Sequence, residues 1–195
     1  MTAVTLLQIM PEDAPDKVLV RTRDEKDIIR ELAPHRVTLR RWPLRTDDTP
    51  ALDDQALLDL YREEIEEVCA QDSMKLVDVA RLHPADTEEW RELAAKARVK
   101  FLEEHRHSED EVRFFAHGRG LFTLHLDDRV YAVLCEAGDL LSVPAGVRHW
   151  FDMGARPDFA AIRFFQEDDG WVGDFTGTEI AGGFPGLDDL TGPGL

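Results

Sequence analysis

The chain has 195 residues, 43% hydrophobic and 32% charged, which suits one globular domain with a real core rather than a disordered or fibrous chain. A formal net charge of −17 argues against partners that need Lys/Arg neutralisation, so neither nucleic acid nor an anionic membrane surface is expected. There is no apolar run of membrane-span length and no signal-peptide pattern at the start, and Cys69 and Cys135 lie outside any CxxC pair; the expectation is a cytoplasmic protein with reduced thiols.

In chain order, "AVTLLQI" (3–9) reads as a strand, and the mixed stretch after it resists assignment. "VTLRRW" (37–42) predicts a strand ending at Pro43. A helix is expected over about 53–70, where Leu57, Tyr61, Ile65 and Val68 recur at helical spacing and acids fill the other face. "KLVDVARL" (75–82) reads as a strand. A second helix is expected to start near Asp86, with Glu89 completing a capping box. Its apolar face would use Trp90, Leu93, Ala94 and Ala97, and it runs toward Phe101. From residue 105 the texture changes to short segments rich in β-branched and aromatic residues, broken by Gly, Asp-Asp or Pro-Ala-Gly. That rhythm predicts antiparallel hairpins closing into a sandwich or small barrel. The fold class is therefore mainly β with N-terminal helices (α+β): a single domain in which residues 1–100 pack on a barrel core at about 101–170. The Gly/Pro-rich segment 182–195 is expected to be a loosely ordered tail.

"EEHRHSEDEVRFFAHGRG" (103–120) carries the chemistry. On a strand, residues i and i+2 share a face about 6.5–7 Å apart, so His105 and His107 aim into one space while Arg106 points away. Glu111 has the same parity, and a bend or bulge after His107 would bring its carboxylate to the same centre. Arg113 and Phe115 continue that parity, placing a cation and a ring beside it. An inward Glu and Arg would be costly in a barrel unless paired or coordinated. A second segment, "GDLLSVPAGVRHWF" (138–151), delivers His149 and then Phe151 onto a β-face. Three imidazoles and a carboxylate suit a borderline divalent ion rather than Ca or Mg, and a four-ligand octahedron with two open positions favours iron or nickel over zinc. Glu103, Glu104, Glu109 and Asp110 read as solvated bystanders. His35, His83, His117 and His125 lack a convergent partner set and are expected at the surface or in loops.

The two segments resemble the paired motifs of the cupin superfamily: HxH, three residues, Glu, six residues and Gly (His105, His107, Glu111, Gly118), then Gly, five residues, PxG, two residues and His (His149). The pattern departs from many cupins at Met153, where they carry Asn, and at Val99, where they carry Gly. "FLEEHRHSEDEVRFFAHGRGLF", "EAGDLLSVPAGVRHWFDMG" and "AAIRFFQEDDGWVGDFTG" resemble one family more closely, the acireductone dioxygenases of methionine salvage, over roughly residues 50–185. The resemblance implies a double-stranded β-helix (jelly-roll) barrel and one non-haem Fe(II) or Ni(II) ion per chain, held by His105, His107, Glu111 and His149. It implies Arg113 as a catalytic cation, with Phe101, Phe151, Arg163 and Trp171 lining or supporting the substrate pocket. The implied substrates are 1,2-dihydroxy-5-(methylthio)pent-1-en-3-one and O2, cleaved by a monomer. Iron would yield formate and 4-methylthio-2-oxobutanoate; nickel would yield formate, CO and 3-(methylthio)propanoate. The alternatives are another metal-dependent cupin dioxygenase or isomerase acting on a chelating enol or thiol, and a metal-binding cupin with a sensing role.

Overall fold

The structure is a computed structural model that describes residues 4–45, 49–170 and 172–192. Every strand pairing among the described residues is antiparallel. The organising element is β6 (Glu111–Leu126), 16 residues long, which takes part in both faces of a sandwich. Its first half pairs with β8 (Asp139–Val143) and β10 (Phe159–Phe165), and these extend the sheet to β3 (Thr38–Arg41) and β4 (Leu76–Leu82). Its second half pairs with β7 (Arg129–Glu136) and β9 (Arg148–Asp152). From there the sheet continues through β1 (Leu6–Pro11) to β2 (Val20–Thr22) on one side. On the other it runs through β5 (His105–Arg106) to β11 (Asp174–Phe175).

Alternation along each strand sorts side chains between three buried layers. In β6, Phe115, Phe122 and Leu124 face the barrel interior with Leu7, Ile9, Tyr131, Val133 and Leu141. Val112, Phe114 and Ala116 face the other way, under the helices α2 (Asp54–Leu60) and α3 (Arg62–Asp72), and Leu57, Val68 and the intervening Tyr61 cover them. The outer face of β1, β7 and β9 carries Leu6, Met10, Leu134 and Trp150, and α5 (Leu187–Thr191) covers it with Leu187 and Leu190.

Several elements differ from the expectations. The unassigned stretch contains α1 (Glu25–Leu32), capped by Asp24 accepting from the Asp27 amide, with Ile28 and Leu32 buried one turn apart in the barrel interior. The single helix expected over 53–70 is broken at Tyr61, whose φ of −109° and ψ of 20° leave the helical region. Packing explains the break: the Tyr61 ring is fully buried against Phe114, 4.8 Å between centroids, and its hydroxyl accepts from the Arg45 amide at 3.1 Å. The helix expected from Asp86 is α4 (Glu88–Phe101), and it is capped by Thr87 accepting from the Trp90 amide, without a capping box. Of its expected apolar face, Ala94 is buried while Leu93 is 56% exposed. The tail expected to be loose is docked through α5. Its Leu187 amide donates to Asp152 Oδ2 at 2.9 Å, and Asp152 in turn binds Arg98 of α4 through both carboxylate oxygens at 2.7 and 3.0 Å; residues 193–195 lie outside the described set. No helix among the described residues is long and apolar enough to cross a membrane.

Candidate metal centre

The short β5 lies in register with β9, so that His105 sits directly opposite His149. The chain leaves β5 after Arg106 and re-enters the sheet at Glu111; this break lets a non-strand stretch carry His107 toward the same point. The three imidazoles approach within 4.6–5.3 Å of one another, centroid to centroid, and their donor atoms all lie within 4.8 Å. Each ring turns its Nδ1 to a backbone carbonyl: His105 to Glu103 at 2.7 Å, His107 to Val172 at 2.9 Å, His149 to Val147 at 2.8 Å. A carbonyl can only accept, so Nδ1 carries the proton and Nε2 keeps its lone pair for the centre.

Glu111 completes the cluster. Its Oε2 lies 2.6 Å from His149 Nε2 and 3.5 Å from His107 Nε2, while its Oε1 forms an ion pair with Arg113 Nη2 at 2.8 Å. Both Glu111 Oε2 and His149 Nε2 are buried, and neither makes a hydrogen bond with any described residue. Two buried lone-pair carriers at contact distance repel unless a cation lies against them, so the donor set fits a divalent metal ion. Charge states agree with this reading. Burial pushes His105 down to about 4, helped by its neighbour His149, and burial likewise lowers His107. Burial alone would raise the Glu111 carboxyl, but Arg113 and His149 outweigh it and hold the group well below the ordinary carboxylate range. Burial would lower His149, yet the Glu111 carboxylate raises it. The neutral His105 and His107 imidazoles beside an ionised carboxylate are what a cation of borderline softness binds, and such a cation would take the place of the proton that Glu111 favours on His149.

The cluster opens on a cavity of about 110 Å³ walled by Phe101, Phe115, Phe122, Phe151, Phe159 and Met153. Phe151 is the central ring, 4.9 Å from Phe122 and 6.5 Å from Phe101. It can sit there because residue 120 is glycine: a Cβ at that position would lie 2.4 Å from Phe151 Cε2 and 2.9 Å from Phe115 Cε1. The cations of the wall are ordered. Arg163 holds Asp78 of the neighbouring strand through two bonds, at 2.7 and 2.6 Å, and lies across the sheet from Arg113. Arg113 and Arg163 flank the Phe165 ring at 5.1 and 5.3 Å.

Thus His105, His107, Glu111, His149, Arg113, Phe101, Phe151 and Arg163 all border one space; Trp171 lies outside the described residues. The structure corrects the reading of the bystanders. Glu104 is 1% exposed, binding His125 Nδ1 at 2.7 Å and accepting from Thr176 and Thr178 at 2.8 and 3.2 Å. His125 is buried too, its other nitrogen on Glu12 at 2.7 Å. Glu109 accepts from the amides of Gln166 and Glu167 at 3.0 and 2.9 Å, fastening the end of β10. Glu104 alternates with His105, so when the histidine faces the cavity the glutamate faces the opposite layer; that parity was the signal available for its burial. His83 and His117, expected to lack a partner set, both meet Asp158.

The family model described as the ARD/ARD' family matches residues 6–173. Acireductone dioxygenase 2 of Nocardia farcinica is 56% identical over 188 residues, covering 96% of this chain and 98% of the relative. The acireductone dioxygenase of Pseudomonas syringae pv. tomato is 48% identical, covering 97% of this chain and all of the relative. Among solved structures, acireductone dioxygenase from Bacillus anthracis with a cadmium ion in its active center superposes with a TM-score of 0.73 at 29% identity, covering 90% of this chain and 100% of that one. The mainly antiparallel architecture is that of the cupin fold.

Proposed function

The chain belongs to the ARD/ARD' family of acireductone dioxygenases, a metal-dependent class, and from that premise we propose the following chemistry for its cavity. His105, His107, Glu111 and His149 hold a single Fe2+ or Ni2+ ion. The observation that carries this is the common orientation of the three rings, each with Nδ1 on a carbonyl and their donor atoms within 4.8 Å of one another, with Glu111 Oε2 against His149 and His107. The cadmium named in the active center of the Bacillus anthracis relative supports a divalent cation in this fold. When bound, the ion supplies Lewis-acid polarisation and orientation of two vicinal substrate oxygens.

The substrate is 1,2-dihydroxy-5-(methylthio)pent-1-en-3-one, an enediol whose ionised form is electron-rich enough to react with O2. Arg113 is a catalytic residue in this scheme. Its guanidinium is buried, which lowers its pKa, while the Glu111 carboxylate works in the opposite direction; it stays cationic because a guanidinium starts so far above neutrality. Its fixed donors face the anionic oxygen and favour the ionised substrate. Phe101 and Phe151 receive the methylthioalkyl tail and exclude water, which strengthens each electrostatic contact inside. Arg163 acts one layer back, through Asp78 and the shared Phe165 ring. The same donors accept iron and nickel, so the product set follows the ion that is loaded. We place the enzyme in the cytoplasm, a setting supported by the free thiols of Cys69 and Cys135, and take it to act as a monomer.

The test is anaerobic mixing of the Fe- or Ni-loaded protein with the acireductone, followed by O2. Rapid oxygen uptake with formate release is expected, and no uptake with either ion overturns the assignment.

A further inference from the structure

Away from the cavity, three adjacent strands bring a second set of donors to one rim of the sheet. His83 follows the last residue of β4, Asp158 precedes the first residue of β10, and His117 lies within β6. β10 runs between the other two, with Phe159 opposite both Leu82 and Gly118, so the three residues are cross-strand neighbours. His83 Nδ1 and His117 Nε2 lie 3.0 and 3.1 Å from the same atom, Asp158 Oδ1. All three donor atoms fall within 4.8 Å of one another.

The backbone is shaped to produce this convergence. The pairing of β6 with β10 slips by one residue: His117 faces Ala160 but Phe115 faces Ala161, leaving Ala116 as the extra residue of a bulge. A bulge re-aims the side chains beside it, here His117. Gly118 follows with φ +67°, and a Cβ there would sit 1.8 Å from the Asp158 carbonyl oxygen. Only glycine combines that conformation with that close an approach. His83 Nε2 is buried with no hydrogen-bond partner among the described residues, whereas the Asp158 side chain is 47% exposed. The cluster is therefore preformed on the protein side and open on the solvent side.

We propose that His83, His117 and Asp158 constitute a second divalent transition-metal site, separate from the centre at Glu111. Two imidazoles and one carboxylate select a borderline ion such as Zn2+, Ni2+ or Co2+ over Ca2+ or Mg2+. With metal–ligand bonds of about 2.0–2.2 Å, neighbouring ligands of a tetrahedral ion stand roughly 3.3 Å apart. That is close to the 3.0 and 3.1 Å separations here, so binding needs the rings to carry their protons on the far nitrogens, His83 Nε2 and His117 Nδ1, and only small side-chain shifts. The remaining position faces water, which makes the ion exchangeable. The site also touches the established cavity mechanically. Phe159 and Phe115, which wall that cavity, are one and two residues along the chain from Asp158 and His117. An ion at the rim would tie together the three strands behind that wall.

Equilibrium dialysis of the full chain against Zn2+, with metal counted by elemental analysis, tests the proposal in four proteins: the wild type, His83→Gln, His117→Gln and His149→Ala. Two Zn2+ per chain are expected for the wild type and one for each rim variant. Oxygen uptake by the Fe-loaded rim variants should stay within about twofold of the wild type. In the His149→Ala background, Zn2+ should still raise the melting temperature, and adding His117→Gln should abolish that rise. This readout is independent of the dioxygenase reaction, so failure of the rim site and failure of the proposed activity are told apart. Equal Zn2+ content in the wild type and both rim variants overturns the proposal, and leaves the cluster as two hydrogen bonds onto Asp158.

Discussion

Glu104→Ala is the sharpest probe of how the fold holds the centre, because the residue does not border the cavity beside it. Its carboxylate is 1% exposed and joins β5, β6 and the 174–178 segment through His125, Thr176 and Thr178. A hydrogen bond to a charged group contributes about 1.5–3 kcal/mol when its loss leaves a buried partner unpaired. His125 keeps Glu12 and the two threonines lie nearer the surface, so the combined loss is about 3 kcal/mol rather than the sum of three full bonds. For a chain of this size that lowers the melting temperature by roughly 6–12 °C. The change also reaches the candidate centre. The Val172 carbonyl that fixes His107 lies four residues before Thr176, and removal of such outer supports costs about 10–100-fold in metal affinity. Thermal unfolding and competition with a coloured chelator measure the two effects. Glu104→Gln, which keeps acceptance from the threonines but not the charge, should fall between. A Glu104→Ala chain with unchanged melting temperature and unchanged metal affinity would refute the reasoning that this carboxylate supports the centre.

Four further outcomes are expected. His149→Ala should lose tight Fe or Ni loading, and full retention by elemental analysis would remove it from the ligand set. Arg113→Met should keep its metal but turn over about 10²–10³-fold more slowly, as when a transition-state donor is removed; unchanged turnover takes Arg113 out of the chemistry. Gly120→Ala should cost about 1–3 kcal/mol by overpacking and slow turnover by displacing Phe151, to be read from urea midpoints alongside oxygen uptake. Asp152 is the pH probe. Burial would raise its carboxyl, but Arg98 and the amides of Leu187 and Gly154 outweigh that and lower it. A depressed carboxyl contributes stability that is present above the ordinary aspartate value of about 4 and lost as pH falls through the folded value. Asp152→Asn should therefore be less stable than the wild type by about 2–3 kcal/mol at pH 7, with the gap in urea midpoints closing below about pH 4; a gap that persists unchanged into acid contradicts the charge assignment.

The local chemistry of the centre was readable because it depends on spacings of two and four residues. Glu111, Arg113 and Phe115 share a parity within β6, and parity survives whatever the strand pairs with; His107 reaches the centre from the non-strand stretch after Arg106. Three features escaped for the same reason in reverse. Tyr61 has helical spacing, but burial against Phe114 breaks the helix there. Leu187 and Leu190 sit in a Gly/Pro-rich segment whose docking depends on Asp152, 35 residues away from Leu187. Glu104 looks like one more acid in a charged run until His125, 21 residues on, supplies its partner.

By itself, then, the order of residues determined the mainly β class and the spacing of the candidate donors, since alternation and motif spacing are properties of a short window, whereas β1 to β4 join the sheets from the part of the chain expected only to pack on the barrel. Tertiary structure decided the rest: which carbonyl holds each imidazole, that Gly120 makes room for Phe151, and that His83, His117 and Asp158 meet at all. Those depend on strand register and on one bulge in β6, where a shift of a single residue would turn His117 to the other face.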